Sequence, residues 1–302
     1  MANNGHVKIL QFTRPPQRVV SLVPSLTESL FDLGCGQAVV GITDYCVHPA
    51  ESLVNLPRLG GPKNPRLDDI VALEPDLVLA NQEENSLQDV EALEAKGVPV
   101  WVTFPKKVSQ AMEVLWKLAE LFRSPAAAVR LEMLERSLEW TASAVRERSS
   151  ERYFCPIWYD TAPGEKNWWM TFNGDTYCHD LLATMGGVNI FAGRARHYPL
   201  EADLGRGIPE DPGSRDTRYP RITLEEIEAA QPEIILLPDE PFSFDQAHLE
   251  QLSSLLPDTP AVRNARVHLV QGSLITWHGT RLARALRELP ALFDLSSEAA
   301  GQ

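Results

Sequence analysis

The chain has 302 residues, 44% of them hydrophobic and 23% charged, and its 41 acidic against 28 basic side chains leave a net charge of −13. That supplies a large buried core and suits two domains, while the acidic balance argues against a nucleic-acid partner, whose phosphates need a basic surface. No apolar run approaches the roughly 18 residues of a membrane span, and Cys35, Cys46, Cys155 and Cys178, with no CxxC pair, read as free thiols in a reducing compartment.

The opening residues hold only the short apolar stretch Val7–Leu10 before Pro15-Pro16, and Cys35 lies too deep for a lipid anchor. As written, the chain is therefore expected to stay soluble in the cytoplasm. If its natural start lies further upstream, the periplasm or cell surface is the expected place.

Short apolar strands then alternate with helical stretches, the pattern of parallel sheets covered by helices. Arg18–Val23 reads as a strand, followed by a helix over Ser25–Leu33 with Ser25 or Thr27 to cap it and Gly34 to end it. A strand follows at Val39–Thr43, and a helix over Leu67–Leu73 stops before Pro75, since the residue preceding proline disfavours helical backbone. Next come strand Leu77–Ala80, helix Asn85–Lys96 closed by Gly97, strand Pro99–Phe104, and a helix over Val108–Arg123 with a one-sided apolar stripe.

Ser124-Pro125 supplies a cap and a first-turn proline for a helix running to Arg148, roughly 35 Å at 1.5 Å per residue. The pattern then restarts with strand Tyr153–Tyr159, helix Tyr177–Met185, strand Ile234–Pro238, helix Gln246–Leu256, strand Val267–Val270 and helix Thr280–Leu289. Ala192–Arg218, rich in Gly, Pro, Arg and Asp, reads as a long surface loop of the functional or mobile kind. The partition expected is an α/β lobe over 1–123, a joining helix over 124–150 and a second α/β lobe over 151–302.

An internal repeat supports two similar lobes. Leu67–Leu79 recurs at Leu224–Leu236, 157 positions on, with Leu, Ile, Ala, Pro and Leu identical and both acids kept. A second echo pairs Gly34 with Gly186 and Gly41 with Gly193. Parallel sheets of this kind bind ligands beyond the carboxyl ends of their strands, so two facing lobes would make a cleft.

The segment Arg18–Glu28, the signature Leu67–Leu79, and Trp169-Met-Thr-Phe with Asp180-Leu-Leu, Met185-Gly-Gly and Asn189-Ile-Phe together resemble one family. They are similar to the helical-backbone substrate-binding proteins that carry cobalamin, haem and siderophores to ABC importers, above all the cobalamin branch. The likeness covers about residues 17–293. It implies two Rossmann-like lobes with parallel sheets joined by one long rigid helix. It also implies a corrinoid held in the inter-lobe cleft, with haem or a ferric siderophore as variants, and an ABC importer permease as partner. No covalent cofactor, no membrane insertion and no catalysis are expected, and a monomer is.

Carried residue by residue, the family's ligand contacts fall on Tyr45, on Trp169 or Met170, and on Tyr219. Two further aromatic positions fall on about Pro62 and on Asn81. The acids that dock onto transporter arginines fall on Asp68 and Glu225.

Residue chemistry adds its own candidates. Trp158, Tyr159, Trp168, Trp169, Phe172, Tyr219 and Trp277 cluster in stretches read as second-lobe loops, and large aromatic faces suit a flat macrocycle. Trp169, Tyr219 and Trp277 are favoured for the cleft; for Trp158 and Trp168, core packing is as good a reading. His278 could ligate cobalt or iron, but a hydrogen-bonding loop histidine is the better reading; His179 reads as a core or surface residue of its helix, and His48, near the first lobe's mouth, is open to the same two readings as His278. Glu28 reads as a first-turn acid favouring its helix dipole. Gly60–Asn64 lacks a phosphate-loop ending and reads as a cleft loop. The rival class is an enzyme on a two-lobed scaffold acting on a tetrapyrrole or sugar nucleotide, against which stand the missing nucleophile–base pair and dinucleotide fingerprint. A third reading is an intracellular carrier that kept the importer fold without its transporter.

Overall fold

Runs of Val, Leu and Ile too apolar to face water on either side build two parallel sheets, as strands covered on both faces must. The structure, a computed structural model, describes residues 13–146, 149–160 and 167–293. Contacts divide the chain into one unit ending at Arg136 and including Trp277–Ala283, and a second comprising Ser137–Thr276 and the chain from Arg284 onward. This differs from the expected linear partition in that Trp277–Ala283 groups with the first unit.

In chain order the elements are β1 (Val19–Ser21), α1 (Pro24–Asp32), β2 (Val39–Ile42), α2 (Ala50–Leu53), β3 (Gly60–Gly61), β4 (Asn64–Pro65), α3 (Leu67–Ala72), β5 (Leu77–Asn81), α4 (Leu87–Ala95), β6 (Val100–Thr103) and α5 (Val108–Leu121). Helix α6 (Pro125–Arg146) carries residues of both units. There follow β7 (Glu151–Phe154), β8 (Trp158–Asp160), β9 (Trp168–Met170), α7 (Tyr177–Thr184), β10 (Gly187–Asn189), α8 (Leu200–Asp203), β11 (Arg221–Thr223) and α9 (Leu224–Ala230). Last come β12 (Ile234–Pro238), α10 (Gln246–Leu255), α11 (Pro260–Arg263), β13 (Val267–Val270), α12 (Ser273–Thr276) and α13 (Leu282–Glu288).

The first unit's sheet has the order β2-β1-β5-β6 and the second unit's β10-β7-β12-β13, parallel throughout. In the first unit Val20, Leu22, Val78, Ala80 and Val100 pack against Ile70 and Leu93 from the covering helices. In the second unit Phe154, Ile235 and Leu237 pack against Ile227 and Leu252. A small antiparallel sheet, β11-β9-β8, belongs to the second unit alone.

The repeat is a repeat of structure. Glu74 and Gln231 occupy matching places and both take left-handed backbone, φ 45° and 48°, just before Pro75 and Pro232. Arg18 donates from its guanidinium to the Leu73 carbonyl, and Arg152 does the same to Ala230. The Asp76 carboxylate accepts the Arg18 backbone N–H, and Glu233 accepts that of Arg152. Gly34 and Gly186 both have positive φ, 76° and 94°. The Gly41–Gly193 echo does not hold in space: Gly41 lies within β2, where a Cβ would strike Leu59 and Leu73, while Gly193 lies beyond the end of β10, where a Cβ would meet no described residue within 4 Å.

Several expectations are corrected. The expected strand Tyr153–Tyr159 is two strands in different sheets, broken at Cys155–Ile157, where Pro156 has no N–H to donate. Helix α1 is not capped by Ser25 or Thr27. Its N-cap is Val23, with Pro24 in the first turn, and the Thr27 hydroxyl serves instead as a donor to Ser21 Oγ at 2.8 Å. The expected long helix begins at Pro125; its last two expected residues, Glu147 and Arg148, lie outside the described residues. The loop over Ala192–Arg218 contains helix α8 and is tied down by Asp203, described below.

Candidate functional site

Each parallel sheet reverses its strand order once, between β1 and β5 in the first unit and between β7 and β12 in the second. A crevice beyond the carboxyl ends of such a strand pair is where ligands of open α/β sheets bind. The candidate residues sort themselves around these two places.

In the first unit, Tyr45 follows β2 and is 64% exposed, near Gly61, where a Cβ would lie 3.5 Å from the ring's Cε2. The Asn85 side-chain amide donates to the Pro62 carbonyl at 3.0 Å and to the Leu22 carbonyl at 3.4 Å, so the Gly60–Asn64 turn is fastened to the end of β1. Asn81, the last residue of β5, is buried. Its side-chain carbonyl accepts the Glu83 N–H and its amide donates to Thr103 Oγ1 and to His278 Nε2 at 3.2 Å. The expectation of a ligand contact at Asn81 is corrected: it braces the mouth from below.

The same bonds define His278. An amide nitrogen can only donate, so His278 Nε2 accepts and the ring is neutral with its proton on Nδ1. Burial pushes its pKa down to about 4. Nε2 is thus engaged with Asn81 inside the first unit. Among the described residues no three His, Cys, Asp or Glu side chains gather at metal-binding distance.

Trp277, expected in a second-lobe loop, groups with the first unit, as does His278. Trp277 is half-buried, with the His48 ring edge-on at 5.9 Å and the Arg281 guanidinium over it at 5.0 Å. Arg281 in turn makes a two-pronged ion pair with Glu28, at 2.8 and 2.6 Å, with both side chains largely covered. Thr280 adds an N–H to Ser29 Oγ and a hydroxyl to the Asp32 carboxylate. The expectation of Glu28 as a first-turn acid is corrected: α1 begins at Pro24 and carries no acid in its first turn. Glu28 fixes a segment 253 positions away, and a Cβ at Gly279 would strike Ser29 Oγ. Sequence reasoning missed this pair because no local pattern joins its halves.

In the second unit the antiparallel sheet continues from the mouth of β7: Ile157 N–H donates to the Met170 carbonyl and Thr171 Oγ1 to the Cys155 carbonyl. Trp158, Met170 and Arg221 stand directly opposite one another across β8, β9 and β11, so their side chains share one face. The other face carries Tyr159, Trp169 and Ile222 into the core. Trp169 is 3% exposed and stacked on Tyr159 at 5.4 Å, so its expected place in the cleft is corrected. Trp168 is buried as well, whereas Trp158 is exposed and Met170 and Tyr219 are half-buried. Tyr219 sits beside Arg218, whose guanidinium lies over its ring at 5.1 Å.

Asp68 and Glu225 occupy the first turns of the matching helices α3 and α9, both exposed. Lys96 donates to the Asp68 carboxylate at 2.5 Å and holds its pKa below the usual range. The neighbouring acids have structural work: Asp69 pairs with Arg66, and Glu226 completes a capping box with Thr223.

Comparison with known proteins follows the same lines. Residues 19–273 match the family described as periplasmic binding protein. The vitamin B12-binding protein of Vibrio parahaemolyticus is 24% identical over 282 residues, 93% of this chain and 90% of that protein. The vitamin B12-binding protein of Yersinia pestis is 28% identical over 184 residues, 61% of this chain and 63% of that protein. The periplasmic vitamin B12 binding protein of Vibrio cholerae superposes with a TM-score of 0.73 at 18% identity, over 95% of this chain and 99% of its own. A periplasmic heme-binding protein from Roseiflexus sp. RS-1 gives 0.70 at 21%, over 92% and 97%. At these identities the two solved structures share the fold.

Proposed function

The chain belongs to the periplasmic binding protein family, and on that footing we propose that it binds a corrinoid, cobalamin in the first place, unchanged, as the substrate-binding component of an ABC-type importer. Heme and ferric siderophores are the variants within this class. The observation that carries the reading is the pair of matched mouths. Each lies at the strand-order reversal of its own parallel sheet, and each is edged by partly exposed aromatic or thioether side chains: Tyr45 and Trp277 on the first unit, Trp158, Met170 and Tyr219 on the second. Flat, polarisable groups of this kind cover a macrocycle with little loss of side-chain freedom.

Asp68 and Glu225 are assigned to docking on a permease. Their exposure in the first turns of two helices equivalent by the repeat supports this.

The test is calorimetric titration with cobalamin, cobinamide, haemin and ferric siderophores. Cobalamin should bind one to one with micromolar or tighter affinity. Silence with both corrinoids beside clear binding of haemin or a siderophore rejects the corrinoid. Chemical turnover of any of these probes rejects the binding-protein class.

A further inference from the structure

The long loop of the second unit holds more positive charge at one point than it neutralises. Arg194 shows what a satisfied guanidinium looks like there: it donates to the Asp203 carboxylate at 3.1 Å, to the Asp203 carbonyl and to Glu226 at 3.1 Å. Asp203, whose side chain is fully covered, also accepts the backbone N–H groups of His197 at 2.8 Å and Arg221 at 2.9 Å. Oδ1 is thereby doubly engaged and Oδ2 holds one backbone N–H.

Arg196 and Arg221 are left over. The Nε of each is buried without a hydrogen-bond partner. Among the described residues the one ion pair either makes is a long one, Arg221 Nη1 to Asp203 Oδ2 at 4.0 Å. Burying a guanidinium without hydrogen-bond partners is costly; the Asp203 carboxylate ties their two segments together by accepting the His197 and Arg221 N–H groups, and burial, then the charge of Arg196, push the Arg221 pKa down. Aromatic rings hold them in place. Arg196 lies over Tyr198 at 4.3 Å, whose second contact, with Arg215, is at 4.2 Å, and Arg221 lies over Trp168 at 5.7 Å. Arg215 and Arg218, by contrast, pair with Glu210 and Asp216. The Arg221 side chain is 14% exposed and Arg196 is half-buried, so Arg196 offers the accessible arm.

The position is as telling as the charge. Arg221 stands directly across the ladder from Met170, on the face it shares with Trp158. We propose that Arg196 and Arg221 form an anion-receiving fork that takes a carboxylate or phosphate group carried on the edge of the bound chelate. Guanidinium pairs suit such groups because their N–H donors match two oxygens at once. This assignment rests on the proposed chelate-binding function and narrows its ligand class to acidic chelates. Among corrinoids it favours cobalamin, which carries a phosphodiester, over cobinamide, which lacks that group; haemin carries two propionates.

The experiment compares wild type with Arg196→Gln, Arg221→Gln and the double variant, each first checked for an unchanged melting profile. Each is titrated with cobalamin, cobinamide and haemin, and its melting is followed with and without inorganic phosphate. Binding of cobalamin or haemin should weaken about tenfold or more in the double variant and fall with salt in wild type, while any cobinamide affinity stays put. If Gln at Arg221 disturbs folding, the partly exposed Arg196→Gln carries the test alone. Unchanged affinity for an anion-bearing chelate overturns the fork and leaves the chelate-binding reading intact. If no chelate binds wild type, that reading fails, and phosphate then decides the fork: protection that the variant loses makes it a site for a free anion and overturns the ligand-borne form, and absence of protection overturns it altogether.

Discussion

Tyr45 and Tyr219 are the residues on which the binding reading can be tested most simply, since both lie on loops and their rings are exposed or half-buried. Truncating either to Ala should weaken ligand binding by about 1–3 kcal/mol, the cost of losing an aromatic anchor, and leave the melting temperature nearly unchanged. Calorimetry on the two variants checks it; wild-type affinity in both would move the site elsewhere. His278 gives a different handle. Its pKa is about 4 in the folded protein against an ordinary 6.5, so between those values the unfolded chain binds the extra proton. The stability that neutral His278 confers is complete above about pH 6.5 and is lost as pH falls toward 4, by about 2–3 kcal/mol at most. Chemical denaturation from pH 7 to 4 should fall less steeply in His278→Gln, which titrates nothing. Equal pH slopes in the two proteins would show that His278 is open to solvent.

At the scale of elements, the two α/β units share a device that a pattern of hydrophobic residues does not reveal. Glu74 and Gln231 end helices α3 and α9 in left-handed backbone, turning the chain into β5 and β12. That conformation is strained for any residue with a Cβ, and Gly adopts it freely. Glu74→Gly and Gln231→Gly should each stabilise the protein by about 0.5 kcal/mol after the added unfolded-chain entropy, and the two effects should add. Denaturant titration of both single variants and the double measures this. The helix starts differ: α9 has the Thr223–Glu226 capping box, whereas α3 begins at Arg66 with no side-chain cap and depends on Asp68 and Asp69 near its dipole.

For the whole molecule, the proposed docking acids sit one on each unit. Reversing both, Asp68→Lys with Glu225→Lys, should leave cobalamin affinity within about twofold, because neither is among the side chains proposed to hold the ligand, and should abolish association with a cognate permease. Pull-down against permease in detergent, beside calorimetry, separates the outcomes. Loss of ligand binding would make the acids part of the site. Wild-type protein that binds no permease would favour a free-standing carrier and return the acids to their helix dipoles.

Much of this architecture was legible in residue order. Alternating apolar strands and one-sided helices, prolines before strands and glycines after helices mark most element positions to within one or two residues, because such preferences act between near neighbours. The repeat at Leu67–Leu79 and Leu224–Leu236 disclosed two like units for the same reason, since each copy solves the same local problem. Three-dimensional folding alone decided that Trp277 and His278 pack on the first unit, that Trp169 turns inward while Met170 does not, and that the Nε groups of Arg196 and Arg221 are buried without hydrogen-bond partners. The face a strand residue takes depends on which sheet its strand joins, and a single step of register reverses it. The bond from Asn81 to His278 spans 197 positions; such contacts are set by the path of the whole chain, to which no stretch of neighbouring residues gives access.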